Sequence, residues 1–257
     1  MRGMPVFRVT AAVAALAATA LLAAGSVGPG SADLTVLQLN LCNSGMSACY
    51  TGRAVAFAED LVTRHRPEVV TADEICRADL PRLGAALEKA HGAPVGSAFA
   101  ALPNSRTGAD VRCTNGEPFG LGVLVVRPGV HQPLVGTFKA QDQADPEVRR
   151  WLCLAAEPVT ACTTHLSFTD KAVALAQCRE LFHDVPVVSG PDVVVAGDLN
   201  LGDRDAALCV QPDRERASDA HVQHVVTSAD LAITGSRTVD TAGTTDHPGL
   251  LVTMMVR

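Results

Sequence analysis

The stretch of this chain best suited to chemistry is Gly197-Asp198-Leu199-Asn200, which follows the apolar run Val193-Val194-Val195-Ala196. Small and β-branched residues in an unbroken run read as a strand buried on both faces. The glycine lets the backbone turn as that strand ends. Asp198 and Asn200 then stand on alternate positions, so both side chains can face one cleft. A carboxylate can hold a divalent metal or a water, and an amide can donate to a phosphoryl oxygen. Polar residues recur where other apolar runs stop: Asn40, Glu74, His165 after Cys162-Thr163-Thr164, and Asp246-His247 ahead of Pro248. Each alone also fits a capping amide, a turn acid or a packed imidazole. Together they set a series of amide, carboxylate and imidazole groups on successive strand ends, the donors that metal and phosphate chemistry needs.

The elements that must position these groups can be read from periodicity. Leu34 to Leu41 is strand-like, with Gln38 and Asn40 on one face. Arg53 to Arg66 carries Val55, Ala58, Leu61 and Val62 at helical spacing and stops at Pro67. Glu68 to Ala72 predicts a short strand that ends at Asp73-Glu74, and Ala78 to Ala90 predicts a second helix along Leu80, Leu83 and Leu87. Residues 91–118, rich in Gly, Pro, Ser, Asn and Thr, predict a long surface excursion. Strands then crowd together at Phe119–Val126, Leu134–Lys139, Trp151–Ala156 and Val159–Thr164, the last two joined by a Glu157-Pro158 turn. Thr169 or Asp170 can cap a helix to about Phe182. After the central strand, Leu201 to Ala220 predicts a helical or looped insertion, and His221–Thr227 and Leu250–Val256 predict closing strands. Strands and helices both recur, which predicts a two-layered sheet core with outer helices.

Arg2 and Arg8 precede an alanine-rich apolar run from Val9 to Ala24, followed by small residues at Gly25-Ser26 and Gly30-Ser31-Ala32. This is the pattern of a secretory signal peptide over residues 1–32, with one domain over 33–257. The run is short for a membrane span, which needs about 20 apolar residues. The expected destination is extracellular rather than membrane-anchored. Loss of the leader takes two of the 21 basic residues and none of the 27 acidic ones, so the net charge moves from −6 to about −8. So acidic a domain is not built to hold nucleic acid through bulk charge. A nuclease is not excluded, because a metal and a few local arginines can offset the field at a cleft. All eight cysteines follow the leader, which in an oxidising compartment predicts up to four disulfides. Pairing between chain neighbours is expected, with Cys42–Cys49 around a short loop and Cys153–Cys162 across a hairpin. No Cys-x-x-Cys or clustered Cys/His spacing suggests zinc.

The series Leu37-Gln38-Leu39-Asn40, Ala72-Asp73-Glu74, Thr164-His165-Leu166, Gly197-Asp198-Leu199-Asn200 and Thr245-Asp246-His247-Pro248 resembles, in kind and order, the motifs of the endonuclease/exonuclease/phosphatase superfamily, the deoxyribonuclease I-like proteins. The resemblance covers nearly all of residues 34–256. It implies an α/β (α+β) fold, a four-layer α/β/β/α sandwich with two packed mixed β-sheets. It also implies divalent-metal-dependent cleavage of a P–O bond by in-line attack of water. Mg²⁺ is the implied ion, with Mn²⁺ or Ca²⁺ as alternatives. Glu74 would be the main carboxylate ligand, with Asn40 and Asp246 near that shell. Asp198 and Asn200 would orient the water and a phosphoryl oxygen, and His247 would act as general base or hold the phosphate. His165 would donate to a second phosphoryl oxygen. Arg149 resembles an arginine found on the strand before the histidine strand, although Arg150 could fill that place.

One position departs from the pattern. Where the family usually carries an Asp that holds the terminal histidine, this chain has Gln223. An amide can orient an imidazole but cannot stabilise its protonated form as a carboxylate does. Reduced activity, substitution by Asp219 or Asp240, or a different use of His247 would follow. His224 on the same strand reads as a packed histidine rather than as a further member of the site, which it could also join. The expected substrate is a phosphoester: nucleic acid, for which Arg149, Arg150, Arg204, Arg214 and Arg216 could form a positive rim, or a phospholipid or small phosphodiester. A catalytically weak secreted binding protein is the reading from another class. No stable protein partner is implied, and a monomer is expected.

Overall fold

A computed structural model of the chain describes residues 1, 3, 33–127, 132–157 and 159–257. Apart from Met1 and Gly3 the expected leader lies outside the described residues, as does Pro158 of the expected turn. In chain order the first half contains β1 (Leu34–Asn40), α1 (Ala54–His65), β2 (Val69–Cys76), α2 (Leu80–His91), β3 (Val95–Ala101), β4 (Phe119–Val126) and β5 (Gln132–Thr137). The second half contains β6 (Arg150–Ala156), β7 (Val159–His165), α3 (Lys171–Arg179), β8 (Val193–Asp198), α4 (Asp203–Ala206), β9 (Arg216–Ser218), β10 (Gln223–Thr227), β11 (Leu231–Val239) and β12 (Gly249–Val256).

The strands form two six-stranded sheets, ordered β11-β12-β1-β2-β4-β3 and β5-β6-β7-β8-β10-β9. Each sheet has one parallel pair near its middle, β1 with β2 and β7 with β8, flanked by antiparallel neighbours. Alternation along the strands divides the apolar residues into three layers. Val36, Val69, Leu121, Leu154, Val194 and Val225 pack between the sheets. Leu37, Val70 and Leu124 pack against α1 and α2 through Leu61, Leu83 and Leu87. Cys153, Val193 and Val195 pack against α3 and the turn after it through Ala174, Leu181 and Phe182. Helices thus cover the outer face of each sheet, the expected four-layer sandwich.

Local signals account for the helix ends. The Asp170 carboxylate accepts from the backbone N–H groups of Ala172 and Val173, capping α3 as its position suggests. Helix α2 closes on Gly92 at φ 65°. The expected long excursion at 91–118 is only partly irregular. It contains β3, an edge strand whose short alternating residues Gly96, Ala98 and Ala100 carry little strand propensity of their own. β3 is held by its full register with β4 rather than by its composition. β9 and β11 are likewise invisible to periodicity, because β9 is three residues long and β11 is mostly exposed. Four disulfides join chain neighbours, as expected: Cys42–Cys49, Cys76–Cys113, Cys153–Cys162 and Cys178–Cys209. Among the described residues, no helix is long and apolar enough to cross a membrane.

Candidate active site

The carboxyl ends of the two parallel pairs lie together, and the side chains that leave them meet in a cleft of about 860 Å³. Glu74, Arg149, His165, Asp198, Asn200, Asp246 and His247 all line it. Asn40 lies just beneath, where its Nδ2 donates to Glu74 Oε1 at 2.9 Å and to Asp198 Oδ2 at 3.3 Å.

Glu74 does not end its strand, as the sequence suggests. β2 runs on to Cys76, and the register with β4 slips between Ala72 and Ile75. Glu74 sits in that bulge at φ 54°, a left-handed conformation a non-glycine residue adopts at a cost of about 1–3 kcal/mol. The bulge turns the carboxylate out of the pleat toward the cleft. Burial raises its pKa, and the charges of Asp198 and Asp246 raise it further.

Asp198 is the most elaborately held group. Its Oδ1 accepts from the backbone N–H of Asn200 at 2.9 Å, and its Oδ2 accepts from Gln223 Nε2 at 2.9 Å. Its own backbone N–H donates to Asp73 Oδ2 at 2.8 Å. Asp73 Oδ2 also accepts from Gln38 Nε2 at 2.7 Å, Asp73 Oδ1 accepts from Thr163 Oγ1 at 3.0 Å, and Gln38 Nε2 donates to Gln223 Oε1 at 3.0 Å. This network bridges the two sheets directly under the cleft. Burial pushes the Asp73 carboxyl well up, reinforced by the Asp198 charge, and burial also raises Asp198. Gly197 permits the close approach of β8 to β7. A Cβ there would overlap the Thr164 carbonyl oxygen, so the glycine is needed for contact and not for the turn the sequence suggests.

His247 Nε2 lies 3.7 Å from Asp198 Oδ2 and 3.7 Å from Asp246 Oδ1. Those are the carboxylates at ion-pair distance from it among the described residues. Gln223 does not hold His247. Neither do Asp219, whose Oδ1 accepts from the His221 and Gln223 N–H groups, or Asp240, which accepts from Ala242. His165 Nδ1 is buried without a hydrogen-bond partner, 3.9 Å from Glu74 Oε1. Burial holds its pKa well below the usual imidazole value, helped by the Arg149 and His247 charges, so the ring is neutral. His224 is packed, as expected, with Nε2 on the Leu201 carbonyl at 2.7 Å. Asn200 is also turned partly aside, its Nδ2 donating to the Leu166 carbonyl at 2.9 Å.

Arg149 is the arginine at the cleft, and its side chain is only 1% exposed. Its Nε donates to Asp145 Oδ2 at 2.6 Å, and its Nη1 lies 3.2 Å from Glu147 Oε2. That second contact is not aligned as a hydrogen bond, so both Nη1 and Oε2 remain unsatisfied. Glu147, a residue sequence reasoning missed, has its pKa pushed up to about 7 by burial, against the pull of Arg149. Arg150 points elsewhere, to Thr137 Oγ1 and the Ala101 carbonyl. Arg214 and Arg216 bind Gln211, the Val188 carbonyl and Asp203 away from the cleft. Of the five arginines expected at the rim, Arg204 included, only Arg149 lines the cleft, where Arg112, not among those expected, joins it.

The donor set fits a divalent cation. Glu74, Asp198 and Asp246 concentrate negative charge that raises the Glu74 pKa, and hard oxygens of this kind suit Mg²⁺ or Mn²⁺. Asn40 fits less directly than the sequence suggests. Its oxygen accepts from the Cys42 N–H at 3.1 Å, and its nitrogen faces the carboxylates, so it bridges Glu74 and Asp198 as a donor. The sulfurs of Cys42 and Cys49 lie near Glu74 but are joined to each other, so they are not ligands.

No protein-family model and no curated protein matches the chain. Solved structures do. An endonuclease/exonuclease/phosphatase from Beutenbergia cavernae shares 16% identity over 87% of this chain and 72% of its own, with a TM-score of 0.65. The human Nocturnin catalytic domain with bound sulfate shares 12% over 88% of this chain and 94% of its own, with a TM-score of 0.63. D. rerio TDP2 complexed with a single-strand DNA product shares 14% over 86% of this chain and 98% of its own, with a TM-score of 0.59. Two packed mixed sheets, their order and these likenesses together show that the chain has the endonuclease/exonuclease/phosphatase fold.

Proposed function

We propose that this protein is an exported, divalent-metal-dependent phosphoesterase that hydrolyses a P–O bond by attack of water. The observation that supports this most is the meeting of Glu74, Asp198 and the Asp246-His247 pair, from three separate stretches of chain, in one cleft beside Arg149 and His165. Glu74 and Asp246 would hold the metal, which when bound supplies charge stabilisation to the phosphoryl oxygens. Its identity, Mg²⁺ or Mn²⁺, belongs to the same proposal. Four disulfides support export to an oxidising compartment.

The chain's own groups divide the remaining work. Asp198, fixed by Gln223, Asn40 and the Asn200 N–H, orients the attacking water. His247 takes or holds a proton at Nε2, beside the Asp198 and Asp246 carboxylates. Neutral His165 offers one N–H to a phosphoryl oxygen without adding charge. The Arg149 guanidinium, whose Nη1 makes no hydrogen bond but lies at ion-pair distance from Glu147, offers a second donor of the geometry phosphate prefers. Gln223 is a positioning residue for Asp198 rather than a defective partner of His247, which removes the main reason to read the chain as a binding protein. Turnover of bis(4-nitrophenyl) phosphate that requires Mg²⁺ or Mn²⁺ and stops with chelator is the expected result. No turnover of aryl phosphodiester, nucleic acid or sphingomyelin under any metal condition would remove this reading.

A further inference from the structure

Beyond the polar floor, the cleft has an apolar wall. Met46, Val111, Pro146 and Phe168 line it, and Phe168 and Met46 are 58% and 61% exposed. Exposed apolar side chains gathered in a polar-rimmed cleft, rather than scattered singly, mark a ligand-binding groove. The Arg149 guanidinium lies 5.6 Å from the centre of the Phe168 ring. Phe168 therefore sits next to the group proposed to hold phosphate.

The wall is built rather than loose. Met46 lies on the loop closed by Cys42–Cys49, and Val111 lies on the excursion pinned by Cys76–Cys113. The Thr114 N–H donates to the Ser44 carbonyl at 2.8 Å, which ties one loop to the other. The cleft volume of about 860 Å³ lies within the range of small-molecule sites. Charge also limits the occupant. Glu74, Asp110, Glu147, Asp198 and Asp246 face the cleft against Arg112 and Arg149. Such a surface does not collect an extended polyanion.

We infer that the wall formed by Phe168 and Met46 is a subsite for a planar ring on a compact phosphoester, stacked on Phe168 while its phosphate lies at Arg149 and His165. This rests on the phosphoesterase reading above. An aromatic face accepts any planar ring, and a thioether makes favourable contact with ring edges. The ring can belong to a free aryl or nucleoside ester or to the terminal nucleotide of a strand, and the experiment separates these sources.

Binding of phenylphosphonate and methylphosphonate to the Mn²⁺-loaded protein, measured by calorimetry, isolates the ring because neither compound is hydrolysed. Stacking of the expected strength makes phenylphosphonate bind about tenfold more tightly than methylphosphonate. That ratio falls to about threefold or less in Phe168→Ala and is kept in Phe168→Trp. Equal binding of the two compounds to the wild type, or an unchanged ratio in Phe168→Ala, overturns the subsite while leaving the phosphoesterase reading intact. If neither compound binds and no phosphodiester is turned over, both fall. Displacement of phenylphosphonate by a 5′-phosphorylated single strand as readily as by thymidine monophosphate assigns the ring to a strand end. Stronger displacement by a blunt duplex than by either overturns the compact-ester assignment.

Discussion

Oδ2 of Asp198 accepts from Gln223 Nε2 at 2.9 Å and stands 3.7 Å from His247 Nε2. The amide thus holds the carboxylate, and the carboxylate faces the imidazole. Gln223 and Asp198 are direct partners across the antiparallel β8–β10 pair, so the contact is set by register. Its other end, Oε1, accepts from Gln38 in the opposite sheet.

Gln223→Glu places a second carboxylate against Asp198 in a buried site. Like charges this close cannot both ionise, so one group must take a proton. The substituted glutamate then has a folded pKa above its unfolded value. Its contribution to stability is present at low pH and is lost as pH rises. Urea unfolding should show a deficit relative to wild type that grows between about pH 5 and pH 8. Gln223→Ala instead leaves Asp198 and Gln38 each short of a partner, at about 1–3 kcal/mol with little pH dependence.

Gly197→Ala should be far more damaging than its size suggests. The added methyl overlaps the Thr164 carbonyl oxygen across a parallel pair that cannot separate without moving Asp198 and His165. Overpacking of this kind costs about 1–3 kcal/mol, and a backbone clash stands at the upper end of that range. Denaturant unfolding should show that loss, with kcat/KM falling as well. A variant as stable as the wild type would mean that β7 and β8 are not in this contact.

Glu147 has its pKa raised from 4.5 to about 7 by burial. A carboxyl raised on folding lends stability below its unfolded value and withdraws it as pH climbs through about 7. Glu147→Gln removes the withdrawal. In chelator, the variant should gain on the wild type between pH 5 and pH 8, by up to about 3 kcal/mol. Parallel stability profiles for the two proteins would show that Glu147 stays fully paired with Arg149.

The strand-end residues were legible in the sequence because each follows an apolar run, and their order matches the observed convergence. His165 and Asp198 reach the cleft from the ends of β7 and β8, Glu74 from the bulge in β2, Arg149 from the residue before β6, and Asp246 and His247 from the segment before β12. The network beneath them was not legible. Gln38, Asp73 and Thr163 occupy alternate strand positions where a polar residue reads as solvent-facing, and only the meeting of the two sheets buries them. Glu147 and Asp145 lay in an irregular stretch with no periodicity to mark their grip on Arg149. The role of Glu74 was visible but its backbone was not, because a bulge depends on the partner strand. Phe168, one exposed aromatic in a loop, carried no pattern at all.

The central claim is that the carboxylates of this cleft hold a divalent cation for P–O hydrolysis, and Glu74→Gln tests it most directly. The purified protein with Mn²⁺ or Mg²⁺ should turn over bis(4-nitrophenyl) phosphate, and chelator should abolish the activity. Glu74→Gln should fold as stably as the wild type, because it removes a buried charge, yet lose about 100-fold or more in kcat/KM, the scale of several kcal/mol of lost charge stabilisation. Chelator-resistant turnover, or a Glu74→Gln variant as active as the wild type, would contradict the account.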